Sequence, residues 1–188
     1  MVEMLVVIAI FGIVTTILLF NLPTFRNQTS LDLVAQEAAI TIRGAQVFGG
    51  GGRVGLEARD EAPTYGIYLD STQAQFDLFR DLDGDGYDNP GGEICAGECV
   101  ERYALAGGFA INPVKCLTGN TVDDQCDPLN ILFTRPALEP KFLPAGSTQF
   151  EPYDRVEIEI KSLRDERIKT VNVWANGQIA TDVGLVTE

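Results

Sequence analysis

MVEMLVVIAIFGIVTTILLF, residues 1–20, is the stretch that decides the fold of this chain. No charged side chain occurs between Glu3 and Arg26. At about 1.5 Å of rise per residue, a helix of this length can cross a hydrocarbon layer about 30 Å thick. The sequence therefore predicts a helix apolar enough for a membrane, headed by a single carboxylate.

A cleavable signal peptide and a plain membrane anchor are two ordinary alternatives for this stretch. A cleavable signal peptide needs a basic region before the apolar core and a small-x-small cleavage site after it. The first acid or base here is Glu3, and residues 20–25 read FNLPTF, so neither feature is present. A plain single-span anchor that holds a soluble domain at a membrane remains open, because length and hydropathy alone fit it equally well.

Residues 1–13, MVEMLVVIAIFGI, resemble the N-terminus of mature type IV pilins and of the related pseudopilins of type II secretion. In that family a leader is cut just before an apolar segment that carries a glutamate at its fifth position, and the new N-terminus is usually a methylated phenylalanine. Here the glutamate, Glu3, is third. The resemblance covers residues 1–20 and implies a chain that assembles with its own copies through its N-terminal helix, with Glu3 as an assembly residue.

The composition limits the function further. The chain has 188 residues, enough for one protruding helix and one soluble domain, and 14 Lys plus Arg against 27 Asp plus Glu give a net charge of −13. This charge argues against a nucleic-acid partner, since clustered basic residues supply most of that affinity. Histidine is absent. Ser-His-Asp and Cys-His catalysis are thereby removed, and we expect no enzyme.

The apolar helix is predicted to continue into an amphipathic half that begins near Ser30, a plausible N-cap. One face of this half carries Leu31, Val34, Ala35, Ala38, Ile42 and Ala45. Pro23 predicts a kink or loosening of the helix around residues 20–23, and Gly12 adds a second soft point. Four consecutive glycines, residues 49–52, are predicted to end the helix, because glycine costs about 1 kcal/mol against alanine in a helix.

Beyond residue 52 the apolar residues alternate with polar ones, which predicts strands. The predicted strands are residues 64–69, 75–79, 100–105, 130–134, 156–160, 170–174 and 178–181, the last two joined by a tight turn at Asn176-Gly177. Pro136, Pro140 and Pro144 predict an irregular surface connection. The predicted fold is α+β and pilin-like: a long N-terminal helix, with an apolar first half, packs through its second half on one antiparallel sheet. Residues 1–28 form the apolar half, and residues 29–188 form a head domain with helix 30–48 and sheet 64–181.

An acidic loop predicts a metal site. Asp81, Asp83 and Asp85 alternate with other residues, and a glycine, Gly84, allows a sharp turn. The peptide carbonyl of Tyr87 occupies the place where an EF-hand loop uses a backbone oxygen, and Asp88 follows. These five residues are the predicted ligands of a structural Ca²⁺ that pins the loop.

This loop departs from the EF-hand pattern at its twelfth position, which holds Gly92 rather than glutamate, with Glu93 one place later. A solvated acidic hairpin loop without a metal is the alternative. Calcium loops between strands also occur in pseudopilins, so the resemblance favours the metal.

Four cysteines, Cys95, Cys99, Cys116 and Cys126, predict two disulfides and an oxidising compartment. Their spacing fits no zinc site. Proximity in sequence favours Cys95 with Cys99 and Cys116 with Cys126, although crossed pairings stay open.

The function favoured at this point is that of a structural subunit of an extracellular type IV pilus-like filament. Its expected partners are copies of itself, the inner membrane that holds it as a single-span precursor, and a pilus or secretion assembly machinery. A minor pseudopilin of a secretion or DNA-uptake machine is one alternative. A membrane-anchored, calcium-dependent binding domain that never polymerises is an alternative of another class.

Overall fold

The computed structural model describes residues 2–51, 63–82, 84–86, 97–105 and 107–183, with the backbone alone at residues 20–28 and 183. A single helix and eleven strands are described within these ranges. The helix α1 spans Val2–Gly51. The predicted α+β class is confirmed, and the arrangement is consistent with a pilin-like fold.

The strands form two antiparallel sheets rather than the single sheet predicted. The first sheet, in the order β3-β2-β1-β7-β8, contains β1 Thr64–Asp70, β2 Gln75–Asp81, β3 Cys99–Ala104, β7 Leu129–Phe133 and β8 Pro140–Pro144. The second sheet, in the order β11-β10-β9-β5-β6 with β4 also paired to β9, contains β4 Phe109–Ile111, β5 Lys115–Thr118, β6 Thr121–Asp123, β9 Arg155–Ser162, β10 Ile168–Trp174 and β11 Ile179–Val183.

The second half of α1 packs on both sheets. It contacts β1 and β7 of the first sheet and β9, β10 and β11 of the second. The buried helix face consists of Leu31, Ala35, Ala38, Ala39, Ile42 and Ala45, each at most 5% exposed. The alanines let strands of both sheets come close to the helix axis, so one hydrophobic core joins the three layers. This face was predicted, apart from Ala39, and Val34 lies at its partly buried margin.

Polar contacts fix the helix along its length relative to the sheets. Near the start of the second half of α1, Asp32 Oδ1 lies 2.8 Å from Lys169 Nζ of β10. Further along, Arg43 Nη2 donates to the carbonyl of Ile179 at 2.8 Å. Gln46 Nε2 reaches the carbonyls of Leu138 and Gly177, each at 2.9 Å. The head domain therefore holds the second half of α1 from Asp32 to its end.

The predicted end of the helix within the glycine run is confirmed, although α1 continues three residues beyond the expected bound at residue 48, because residues 49–51 are still helical. A Cβ on Gly49 would lie 2.3 Å from the carbonyl oxygen of Phe133, so the glycine lets the last turn of α1 lie directly against β7. Arg135 Nε donates to the carbonyl of Gly50 at 3.1 Å, which gives the helix end a partner. The helical assignment is uninterrupted at Gly12 and Pro23, so α1 does not break at either residue.

The irregular surface connection predicted from prolines is present only around Pro136, which lies in an exposed turn between β7 and β8. The prediction was wrong for the other two prolines. Pro140 and Pro144 are the two ends of β8, paired with Phe133 and Leu129 of β7. This strand is an edge of its sheet, where a residue without an N–H can be accommodated on the side that faces away from the partner strand.

The turn predicted at Asn176-Gly177 is confirmed. Gly177 has φ 84°, and the Gln178 N–H donates to Asn176 Oδ1 at 3.0 Å. Buried and partly exposed residues alternate along the whole of β9, so one face of this strand is buried and the other is partly exposed.

Candidate functional site

The first half of α1 is a bare apolar rod. Over Val2–Leu19, 18 residues, the mean hydropathy is 2.6 and none of the segment is buried. At about 1.5 Å per residue this segment is about 27 Å long, close to the thickness of a hydrocarbon layer. By length and composition it is the one helix in the described ranges that could cross a membrane. A signal sequence passes the same test of length and composition, so this property alone does not assign a function.

The two threonines of this rod satisfy their hydroxyl groups within the helix, and its one charged side chain lies at the start of the helix. Thr15 Oγ1 donates to the carbonyl of Phe11 and Thr16 Oγ1 to that of Gly12, both at 2.7 Å. Glu3 lies in the first turn of α1 and is exposed. A carboxylate in this position interacts favourably with the positive end of the helix dipole. Glu3 is the one acidic side chain on the segment Val2–Leu19.

Three carboxylates converge where β2 ends and β3 begins. Asp81, Asp85 and Glu98 each offer an oxygen, and these atoms all lie within 4.8 Å of one another. Pairing of β2 with β3 brings Glu98 to this point, because the Arg80 N–H donates to the Glu98 carbonyl at 2.8 Å. The Leu82 N–H then donates to Glu98 Oε1 at 2.5 Å, which turns the side chain toward the loop.

Asp81 organises the loop from its buried position, at 8% exposure. Its Oδ1 accepts the Gly84 N–H at 2.6 Å and its Oδ2 the Gly86 N–H at 3.1 Å. Both glycines have positive φ, 85° and 80°, which a side chain would disfavour. Burial raises the pKa of Asp81 above its ordinary value, the two N–H donors lower it, and the charges of Glu98 and Asp85 raise it.

This arrangement suits a hard divalent cation. Calcium takes oxygen ligands, several of them carboxylates, in flexible geometry. Asp81 and Glu98 are buried, while Asp85 is exposed and leaves one side accessible to water. The mutual repulsion that raises the pKa of Asp81 is the kind of cost that a bound cation removes.

The structure brings together two of the five predicted ligands, Asp81 and Asp85. The other three, Asp83, Tyr87 and Asp88, lie outside the described residues. Sequence reasoning missed Glu98, because it looked for the last ligand inside the loop. The signal was present in the predicted strands: if residues 75–79 and 100–105 pair as neighbours, an acid just before the second strand meets the end of the first.

The cysteine prediction is confirmed for one pair. Cys116 of β5 and Cys126 are joined, with an S–S distance of 2.07 Å, and both are buried. Cys99 is also disulfide-bonded, and Cys95, the partner favoured by the sequence, lies outside the described residues. The Cys116–Cys126 bond links β5 to the segment that follows β6, so it encloses the β5–β6 hairpin of the second sheet.

Two features of the described residues can therefore carry a function: the bare rod with Glu3 at its head, and the three-carboxylate cluster between β2 and β3. They are separated by the second half of α1, which runs from Asp32 beside β10 to Phe48, whose ring lies 5.6 Å from that of Tyr65 in β1. No protein-family model, no curated protein and no solved structure matches this chain.

Proposed function

We propose that this chain is a structural subunit of a type IV pilus-like filament, held together by packing of its N-terminal helices. The observation that carries the proposal is the single uninterrupted helix Val2–Gly51, whose second half is built into a head domain while its first half is bare and apolar. The resemblance of residues 1–13 to type IV pilins and pseudopilins supports it.

The bare rod is unstable in water. Thirteen large apolar side chains between Val2 and Leu19 are at least half exposed. Covering such a side chain stabilises by about 1.5 kcal/mol or more, so the rod gains on the order of 20 kcal/mol when it leaves water. Lipid and a bundle of identical rods are the two environments that supply this gain. A subunit that waits in the inner membrane and then leaves it for a filament core uses both.

The charge of Glu3 gives the bundle a register. A carboxylate among apolar rods is costly unless a positive group neutralises it. In a bundle of parallel copies, the α-amino group at the start of a neighbouring helix is the available cation. We propose that Glu3 pairs with this amino group as subunits enter the filament from the membrane, under the action of a pilus or secretion assembly machinery.

Substitution of Glu3 tests this role. Glu3→Ala is expected to leave the head domain folded, since the rod is not packed on it, and to stop filament assembly. Glu139→Ala is the matched control, an acid removed from an exposed position of the head. Both variants are compared by electron microscopy of sheared or purified fibres and by thermal unfolding in detergent. Normal fibres from Glu3→Ala would contradict the pairing.

A second proposal concerns the head domain: Asp81, Asp85 and Glu98 hold a structural Ca²⁺ that pins the loop between β2 and β3. The observation that favours it is the convergence of their carboxylate oxygens within 4.8 Å. If the ion is structural, chelation lowers the melting temperature of the full chain and Ca²⁺ restores it. An unchanged melting temperature on chelation would remove the ion.

Two other functions share this architecture. A minor pseudopilin of a secretion or uptake machine would use the same rod in a short filament, and a membrane-anchored calcium-dependent binding domain would use it only as an anchor. Electron microscopy separates them, because long uniform fibres of the chain alone favour the main proposal. An exclusively monomeric, membrane-bound chain favours the anchor.

A further inference from the structure

The packed half of α1 leaves an apolar stripe uncovered on its outer side. Leu33, Ile40 and Val47 are 60%, 65% and 62% exposed. They are spaced seven residues apart, so at 3.6 residues per turn they lie within about 20° of one line along the helix. The opposite side of the same turns is the buried alanine face. The stripe belongs to the same uninterrupted helix as the bare rod.

Opposite charges border this stripe. Glu37 is three residues before Ile40 and Arg43 is three after it, which places the two charges about 60° to either side of the stripe. Both side chains are exposed. Arg43 donates one N–H to the carbonyl of Ile179, and a guanidinium has five donors, so it retains others for a second acceptor.

We propose that this face binds α1 of a second copy of the chain, running parallel, with Glu37 of one copy beside Arg43 of the next. The inference rests on the filament proposed above and deepens it by naming a contact in the head domain. When parallel helices turn apolar stripes toward a common axis, one flank of each helix meets the opposite flank of its neighbour. Here those two flanks carry opposite charges.

The spacing of the residues also gives an axial offset between neighbours. A shift of seven residues, about 10 Å along the axis, sets Leu33 of one copy level with Ile40 of the next and Ile40 level with Val47. The same shift leaves Glu37 one residue from the level of Arg43. Apolar contact and charge pairing therefore agree on one offset, and continuity of the helix carries a neighbour packed on the bare rod along to this stripe.

Charge-reversal substitutions at Glu37 and Arg43, made in the full-length chain, test the contact. Wild type and variants are purified in detergent, and the detergent is removed at low salt. After centrifugation, the concentration of protein that remains in the supernatant is measured. Glu37→Arg alone and Arg43→Glu alone are each expected to raise this concentration on the order of tenfold, because attraction is replaced by repulsion. The double reversal restores opposite charges and is expected to return to within about twofold of wild type.

Matched controls separate this contact from general effects. Glu139→Arg makes the same charge change on an exposed position, and Leu163→Gln removes an apolar side chain that is 62% exposed, to be compared with Ile40→Gln. Thermal unfolding in detergent shows whether Arg43→Glu disturbs the head through Ile179. Two results would overturn this contact but not the filament. In the first, the wild type sediments and neither single reversal changes the concentration that stays in solution. In the second, the double reversal leaves as much protein in solution as the more disruptive single reversal. A wild-type chain that never sediments overturns the filament and the contact together.

Discussion

Replacing Gly49 with alanine should weaken the attachment of α1 to the first sheet. A Cβ at this position would lie 2.3 Å from the Phe133 carbonyl oxygen and 2.8 Å from the Phe133 Cβ. Both atoms belong to β7, which is hydrogen-bonded on both sides by β1 and β8, and Phe133 is fully buried. The strand therefore cannot yield, and the last turn of the helix must move away.

The magnitude follows from two opposing effects. Alanine in place of glycine favours a helix by up to about 1 kcal/mol, whereas forcing an extra methyl into a packed contact costs about 1–3 kcal/mol. Because the clashing atoms belong to a strand that cannot yield, the upper end of this cost applies, and the net loss in free energy of unfolding is about 2 kcal/mol, or a fall in Tm of about 4–8 °C for a chain of this size.

Gly44 provides the matched control on the same helix. Its added Cβ would meet nothing within 4 Å, so Gly44→Ala gains the helical preference without the clash. We expect Gly44→Ala to raise Tm by about 2–4 °C in the assay in which Gly49→Ala lowers it. The assay is thermal unfolding of the full chain in detergent, followed by near-UV circular dichroism. Equal shifts of Tm in the two variants would refute the close approach of α1 to β7.

Further predictions concern the acidic cluster and the disulfide. Saturating Ca²⁺ is expected to raise the Tm of the metal-free chain by about 5–10 °C. This rise should be lost in Glu98→Gln and kept in the control Glu139→Gln, and an equal response of both variants would contradict the calcium site. Because the folded-state pKa of Asp81 is raised, its ionisation costs the metal-free fold stability as pH rises through that pKa. Calcium affinity, measured by calorimetry, should accordingly fall as pH is lowered through it, and a pH-independent affinity would remove Asp81 as a ligand. Replacing Cys116 and Cys126 together by serine should cost about 2–3 kcal/mol, seen as a lower Tm without reductant, and an unchanged Tm would show that the bond does not constrain the unfolded chain.

The helix and its two halves could be predicted from the sequence because their signals are local. An apolar run without charges, followed by apolar residues at helical spacing from Leu31 to Ala45, needs no knowledge of partners. The glycine run predicted where the helix ends, but not that residues 49–51 belong to its last turn. Glycines normally stop a helix, but here the close approach of Phe133 makes glycine the residue that fits at position 49, and that contact joins residues far apart in sequence.

The division into two sheets and the third carboxylate escaped for a related reason. The strand β5 is only four residues long, Lys115–Thr118, and β6 is three, so neither shows an alternation that can be recognised. Prolines at both ends of β8 hid an edge strand. Glu98 enters the acidic cluster through the pairing of β2 with β3; the sequence predicted both strands, but not that they are neighbours in the sheet.

The central claim is that the bare half of α1 is covered by the same half of other copies. The most direct measurement is cryo-electron microscopy of the full chain after detergent is removed. We predict uniform fibres with the Val2–Leu19 rods bundled along the axis and the head domains outside. A chain that stays monodisperse in detergent-free buffer, or fibres whose rods face outward, would contradict the claim.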